Sequence, residues 1–215
     1  MSVILHNYFR SSTSIRVRIA LAIKGVDYQY SSYALLNEEH KSPEFLKLNP
    51  QGLVPTLETP QGIISQSMAI LEYLDEVHPS PALLPVTPIE KARVRSLAQV
   101  VAMDIHPVNN LRILQYIRSE FNADDATVKS WFQQWANVGF SALEARLSRE
   151  PETGRFCHGN NVSLADICLV SQAINNKRFE VALGAYPTIE RIVNACLKMP
   201  AFVAGLPENQ PDAIG

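Results

Sequence analysis

Seven consecutive residues, Arg10-Ser11-Ser12-Thr13-Ser14-Ile15-Arg16, carry four hydroxyls and two guanidinium groups between one apolar run and the next. If a helix begins there, its unpaired N–H groups and the positive end of its dipole favour an anion. A serine hydroxyl donating to a thiolate adds to that stabilisation and lowers the thiol pKa from about 8.5 toward neutrality. The same serines could merely cap the helix, and the segment taken alone leaves both readings open.

Two other features lie in the same half of the chain. Val54-Pro55, preceded by Asn49-Pro50-Gln51-Gly52, is a place for a cis proline entering a strand, which would leave the N–H and C=O of Val54 for an extended peptide. Gln66-Ser67 opens a second helix, whose N-terminus suits a carboxylate. Each alone reads as a turn or a cap. Together they point to a peptide-like ligand with several anionic groups.

These residues need elements to position them. Val3 to Phe9 is a β-branched and aromatic run that predicts a strand, and Arg10 to Ser12 is a polar break. From Ser14 the apolar Ile15, Ile19, Leu21 and Ile23 lie close to one helical face, with Gly25 where a C-terminal stop belongs. Tyr28 to Ala34 predicts another strand, and Ser42-Pro43-Glu44 a short helix through Lys47. Val54 to Glu58 and Gly62 to Ser65 read as a hairpin around Pro60-Gln61-Gly62, and Ser67 to Val77 as a helix. This half is therefore βαβαββα, followed by a linker crowded with Pro79, Pro81, Pro85 and Pro88. Beyond it only helical periodicity appears, over about Pro88 to Ser119, Asp124 to Arg149, Ser163 to Asn176 and Thr188 to Leu197. The expected class is α/β plus all-α: an α/β domain over 1–80, a linker over 81–88 and an all-helical domain over 89–215.

Composition bounds what the chain can do. Its 215 residues suffice for a buried core, and a net charge of -2 with interspersed signs speaks against nucleic acid or an anionic membrane as partner. Cys157, Cys168 and Cys196 form no CxxC pair and read as buried packing residues of a reducing compartment, the cytoplasm. Neither a signal-peptide pattern nor an apolar run of membrane-spanning length is present. His6, His40, His78, His106 and His158 lack the close spacing of metal ligands, so no metal is expected.

The Ser11-to-Leu21 segment, Leu53-Val54-Pro55-Thr56-Leu57, Gln66-Ser67 and Ser163-Leu164-Ala165-Asp166 together resemble the zeta-class glutathione transferases, which include maleylacetoacetate and maleylpyruvate isomerases. The likeness extends through the Pro-rich linker to Gln210-Pro211-Asp212. It implies a thioredoxin-like first domain that binds glutathione and a helical domain that supplies most of the second-substrate pocket. Ser11 or Ser12 would stabilise the glutathione thiolate, Ser11 being preferred, with Arg10 beside it. Val54 would pair with the cysteinyl backbone, Gln66 and Ser67 would hold the γ-glutamyl carboxylate, and Thr13, His40, Gln51, His106 and Asn110 would be further glutathione contacts.

The resemblance also implies Arg10, Arg112 and Arg178 as partners of a dianionic keto acid, and a homodimer. Ser163 and Asp166 match a structural capping box. Where the zeta pattern commonly has cysteine after its two serines, this chain has Thr13; with Asp104-Ile105-His106-Pro107 and Asn109-Asn110 this is more similar to the bacterial maleylpyruvate isomerases. The activity implied is glutathione-dependent cis–trans isomerisation of maleylpyruvate or maleylacetoacetate in aromatic or amino-acid catabolism. A transferase conjugating or dehalogenating small electrophilic acids is the alternative, and a non-catalytic binding module the second.

Overall fold

Four short strands, β1 (Val3–Asn7), β2 (Tyr28–Ser32), β3 (Thr56–Thr59) and β4 (Gly62–Ser65), form one sheet in the order β2-β1-β3-β4. The computed structural model describes residues 3–213, so the outer limits of the expected domains, 1–2 and 214–215, lie outside the described residues. β1 and β2 are parallel, Leu5 opposite Tyr30, because a helical crossover joins them. β3 runs antiparallel to β1, with Leu57 opposite Leu5, and turns back into β4. The Thr59 hydroxyl holds that turn, donating to Gly62 O at 2.9 Å and accepting Gln61 N–H at 3.2 Å. β3 starts two residues later than the apolar pattern predicts, since Pro55 has no N–H for the ladder. The Val54–Pro55 peptide is cis, as is Ser80–Pro81.

The helices of this part are α1 (Ser12–Lys24), α2 (Pro43–Leu48) and α3 (Ser67–Val77), completing the βαβαββα order. Ser42 caps α2 ahead of Pro43, and Gly25 ends α1 at φ 63, a conformation costly for a residue with a Cβ. α1 is apolar along Ile15, Val17, Ile19 and Leu21, yet Arg16 and Arg18 are equally buried. Lys24 donates to Asp75 at 2.7 Å and to the carbonyls of His78 (2.6 Å) and Pro81 (2.5 Å), while Asp75 also accepts Leu83 N–H at 2.7 Å. These contacts tie the start of the expected linker to the first compact unit, which reaches Leu83.

The second unit spans Leu84–Cys196 and is built from α4 (Pro88–Gln99), α5 (Leu111–Phe121), α6 (Asp125–Arg149), α7 (Leu164–Lys177) and α8 (Pro187–Cys196). The continuous helix expected from Pro88 to Ser119 is broken. α4 passes into a π-helical turn, Val100–Ile105, closed by His106 N–H on Val101 O at 2.9 Å. Pro107 then opens a 3₁₀ turn and Asn110 caps α5. Proline's missing N–H and the capping strength of asparagine override the apolar period here.

α7 is the buried centre of this unit, with Ile167, Cys168, Leu169, Val170 and Ala173 all inside. At its start Asp166, 0% exposed, accepts Ser163 N–H (2.8 Å), Ser163 Oγ–H (2.7 Å) and Cys157 N–H (2.8 Å). The three cysteines are free and buried; burial pushes the Cys157 thiol well above its ordinary range and the Cys196 thiol up as well.

The end of the chain departs from the expected boundary. Leu197 onward, including α9 (Pro200–Ala204), belongs with the first unit and not with the helical domain of 89–215. Buried Arg18 is the reason: it donates to Asn7 Oδ1 (2.9 Å), Tyr8 O (3.3 Å), Phe9 O (2.8 Å) and, through two nitrogens, Gly205 O (3.0 and 3.2 Å). A buried guanidinium needs acceptors for its donors, and the last segment supplies one. No helix among the described residues is long and apolar enough to cross a membrane.

Candidate active site

Where β1 gives way to α1 the chain makes a tight turn, with Ser11 N–H on Tyr8 O at 3.0 Å. Ser11 is the N-cap of α1, its Oγ accepting Ser14 N–H at 3.2 Å. Ser12, 4% exposed, is turned into the fold, whereas Ser11 and Thr13 remain partly accessible. Arg10 is exposed and lies over the Phe9 ring, 4.9 Å from its centroid.

Thr13 links this turn to the hairpin. Its Oγ1 is 2.8 Å from Ser11 Oγ and donates to Val54 O at 3.1 Å. Val54 precedes β3 and stands outside its ladder. The loop before it is built by Asn49, whose amide donates to Leu53 O (2.7 Å) and Thr56 Oγ1 (3.2 Å) and whose Oδ1 accepts Gln51 N–H (3.1 Å). Gly52, at φ 60, lets this loop approach the backbone of His40, where an added Cβ would meet the carbonyl at 3.3 Å. Burial lowers the pKa of His40, with Lys41 adding to the effect and Glu38 opposing it.

Gln66 precedes α3 at φ 72 and ψ 116, a conformation a non-glycine residue adopts at a cost and one that clusters at ligand sites. Its amide donates to Gln51 Oε1 at 2.8 Å, and Ser67 Oγ accepts from buried Arg16 at 3.2 Å. Arg10, Ser11, Ser12, Thr13, His40, Gln51, Val54, Gln66 and Ser67 all fall within the first unit. His106, Asn110, Arg112 and Arg178 fall within the second. There Asn110 joins two of its neighbours, its amide 3.3 Å from His106 Nε2 and its Oδ1 accepting Arg112 N–H at 3.2 Å. The Arg112 side chain is exposed. Arg178 follows α7, also exposed, 3.4 Å from Asn175 Oδ1 and above the Phe179 ring.

The first 76 residues match the family model for the glutathione S-transferase N-terminal domain. A maleylpyruvate isomerase of Ralstonia sp. is 46% identical over 97% of this chain and 99% of its own. A solved maleylpyruvate isomerase described as a bacterial glutathione S-transferase of the zeta class superposes with a TM-score of 0.96 at 46% identity, over 98% of this chain and all of that one. The chain belongs to the zeta-class glutathione transferase family. Another solved structure, a maleylacetoacetate isomerase of Methylobacterium extorquens with bound malonate and GSH, gives a TM-score of 0.96 at 38% identity, over 99% of this chain and 100% of that one.

In this zeta-class chain the sequence pattern named the segments of three supporting residues without anticipating their contacts. Arg16 supports Ser67, Asn49 shapes the loop ahead of Val54, and Asp212 accepts Phe9 N–H at 3.2 Å beside the turn into α1. The buried arginines alone had a visible signal, two cations alternating with apolar residues on a helix that otherwise reads as core.

Proposed function

We propose that this chain is a glutathione-dependent cis–trans isomerase of a maleyl keto acid, with maleylpyruvate the preferred substrate. The observation that carries it is the N-capping Ser11, joined through Thr13 to Val54, in a chain whose full-length relatives bear isomerase names. The residues present fit glutathione. Val54 lies outside the ladder, the Gln66 backbone is held in an unfavourable conformation, and Ser67 begins a helix, which together suit an extended peptide ending in carboxylates.

When bound, glutathione supplies a thiolate that adds reversibly to a cis double bond conjugated with a carbonyl and leaves once the bond has turned, so it is not consumed. The protein's own part is electrostatic. Ser11 Oγ–H and the N-terminus of α1 hold negative charge on sulfur, and Ser11 is the better candidate because Ser12 is buried. Gln66 and Ser67 serve the γ-glutamyl end, with Thr13, His40, Gln51, His106 and Asn110 as further contacts. Arg10, Arg112 and Arg178 are assigned to the carboxylates of the substrate, and a guanidinium near them also stabilises charge that develops on the carbonyl. A reducing cytoplasm suits three free cysteines, and a homodimer is the proposed assembly.

The test is spectrophotometric turnover of freshly generated maleylpyruvate and maleylacetoacetate with glutathione far below substrate. Many turnovers per glutathione support an isomerase. Stoichiometric loss of glutathione would instead identify a conjugating transferase.

A further inference from the structure

The hydroxyl of Thr13 has one proton and two neighbours that could take it. Val54 O is only an acceptor, so the 3.1 Å contact commits the Thr13 proton to that carbonyl. The 2.8 Å contact between Thr13 Oγ1 and Ser11 Oγ must then use the Ser11 proton, while Ser11 Oγ accepts Ser14 N–H at 3.2 Å. In this arrangement both hydroxyl protons of the Ser11–Thr13 pair are engaged within the protein. Ser11 therefore has no O–H to offer a thiolate until the pair rearranges.

We infer that Thr13 is a positioning residue that works as a hydrogen-bond switch, coupling occupation of the Val54 carbonyl to release of the Ser11 proton. The inference rests on the proposed pairing of Val54 with the glutathione backbone. The N–H of the bound tripeptide competes with Thr13 for the same side of Val54 O, and as it displaces that contact the Thr13 hydroxyl rotates and donates to Ser11 Oγ. Ser11 then turns its own O–H to the sulfur. Both hydroxyls rotate about their C–O bonds and no covalent bond changes, so donors and acceptors balance before and after. The second arrangement strengthens the Ser11 donor, because a hydroxyl that accepts a hydrogen bond is polarised to give a stronger one. Threonine suits the position because its hydroxyl is a better donor than a cysteine thiol.

The experiment compares wild type with Thr13→Val, Thr13→Ser and Thr13→Cys by two readouts. One is the pH dependence of the ultraviolet thiolate absorbance of enzyme-bound glutathione. The other is calorimetric affinity for S-methylglutathione, which fills the same backbone contacts but has no ionisable thiol. A switch predicts that Thr13→Val weakens ionisation of the bound thiol by about tenfold, a larger change than the one it makes in S-methylglutathione affinity. Thr13→Ser should match wild type and Thr13→Cys should fall between them. Should Thr13→Val not fold, the Ser and Cys pair carries the same comparison. Wild-type ionisation in Thr13→Val, an equal shift in Thr13→Ser, or a loss confined to S-methylglutathione affinity would overturn the switch and leave Thr13 a tether between α1 and the hairpin. Failure of the wild type to bind S-methylglutathione would instead overturn the underlying reading, and the switch with it.

Discussion

The carboxylate of Asp212 accepts the backbone N–H of Phe9 at 3.2 Å, a contact that closes over 203 residues of chain. Its other oxygen takes the hydroxyl of Tyr30, whose pKa is raised by burial and by that bond. Phe9 stands next to Arg10 and two residues before Ser11, so the tail braces the turn that bears the proposed catalytic hydroxyl.

Removing that brace should cost stability and chemistry together. Asp212→Ala leaves a half-buried hydroxyl and a backbone N–H without their acceptor, an expected loss of about 1–2 kcal/mol. The urea midpoint should fall, and kcat should fall more than KM for glutathione rises, because the turn moves while Gln66 and Ser67 stay. A variant with lowered stability and unchanged kcat would show that the tail is a fastening only.

The two serines should separate. Ser11→Ala removes the accessible hydroxyl and is expected to lower kcat by about a hundredfold, with about 1 kcal/mol lost from the α1 cap. Ser12→Ala alters a buried group and should act mainly on the melting temperature. Steady-state kinetics at saturating glutathione, with thermal melts on the same samples, distinguish these patterns; the reverse pattern would move the catalytic assignment to Ser12.

Asp166 is expected to matter more than a cap ordinarily does. A surface capping box is worth about 0.5–2 kcal/mol, but this carboxylate is fully buried and takes donors from Ser163 and from Cys157 earlier in the same loop. Asp166→Ala would orphan them, and a loss of about 3 kcal/mol or more should appear in chemical denaturation. A cost under 1 kcal/mol would show that the 150–163 loop relaxes around the gap.

Acid sensitivity is expected at Glu150. Hydrogen bonds from Arg146 and then Arg93, both at 2.7 Å, hold its carboxyl below the usual range against the opposing effect of burial. A depressed folded-state pKa means the contribution is complete above the unfolded value of about 4.3 and is lost as pH falls through the lower folded value. The gap in urea midpoint between wild type and Glu150→Gln should therefore be widest near neutrality and close as pH drops below 4.3. A gap that stays constant across that range would exclude the ion pairs as its source.

Local chemistry made much of this protein legible from its residues alone. Ser42 before Pro43, Gly25 after Lys24, the Pro60-Gln61-Gly62 turn and the Ser67 to Val77 helix each depend on neighbours a few positions away, and each stands where its residue types require. The hydroxyls of Ser11 to Ser14 were legible for the same reason, since they sit in one segment at a strand-to-helix passage, whereas His40, His106, Asn110, Arg112 and Arg178 entered only through the family resemblance.

What tertiary structure decided is everything that needs a partner from a distant segment. No local pattern says that Thr13 gives its proton to Val54, or that Glu144 of α6 accepts the first N–H groups of α8, from Thr188 and Ile189, both at 2.9 Å. None says that the chain beyond Leu197 returns to the first unit to satisfy Arg18 and Phe9. Periodicity records which side of an element is apolar; it does not record where a buried donor finds its acceptor, because that pairing is set by proximity in space and by the cost of leaving a polar group unmet.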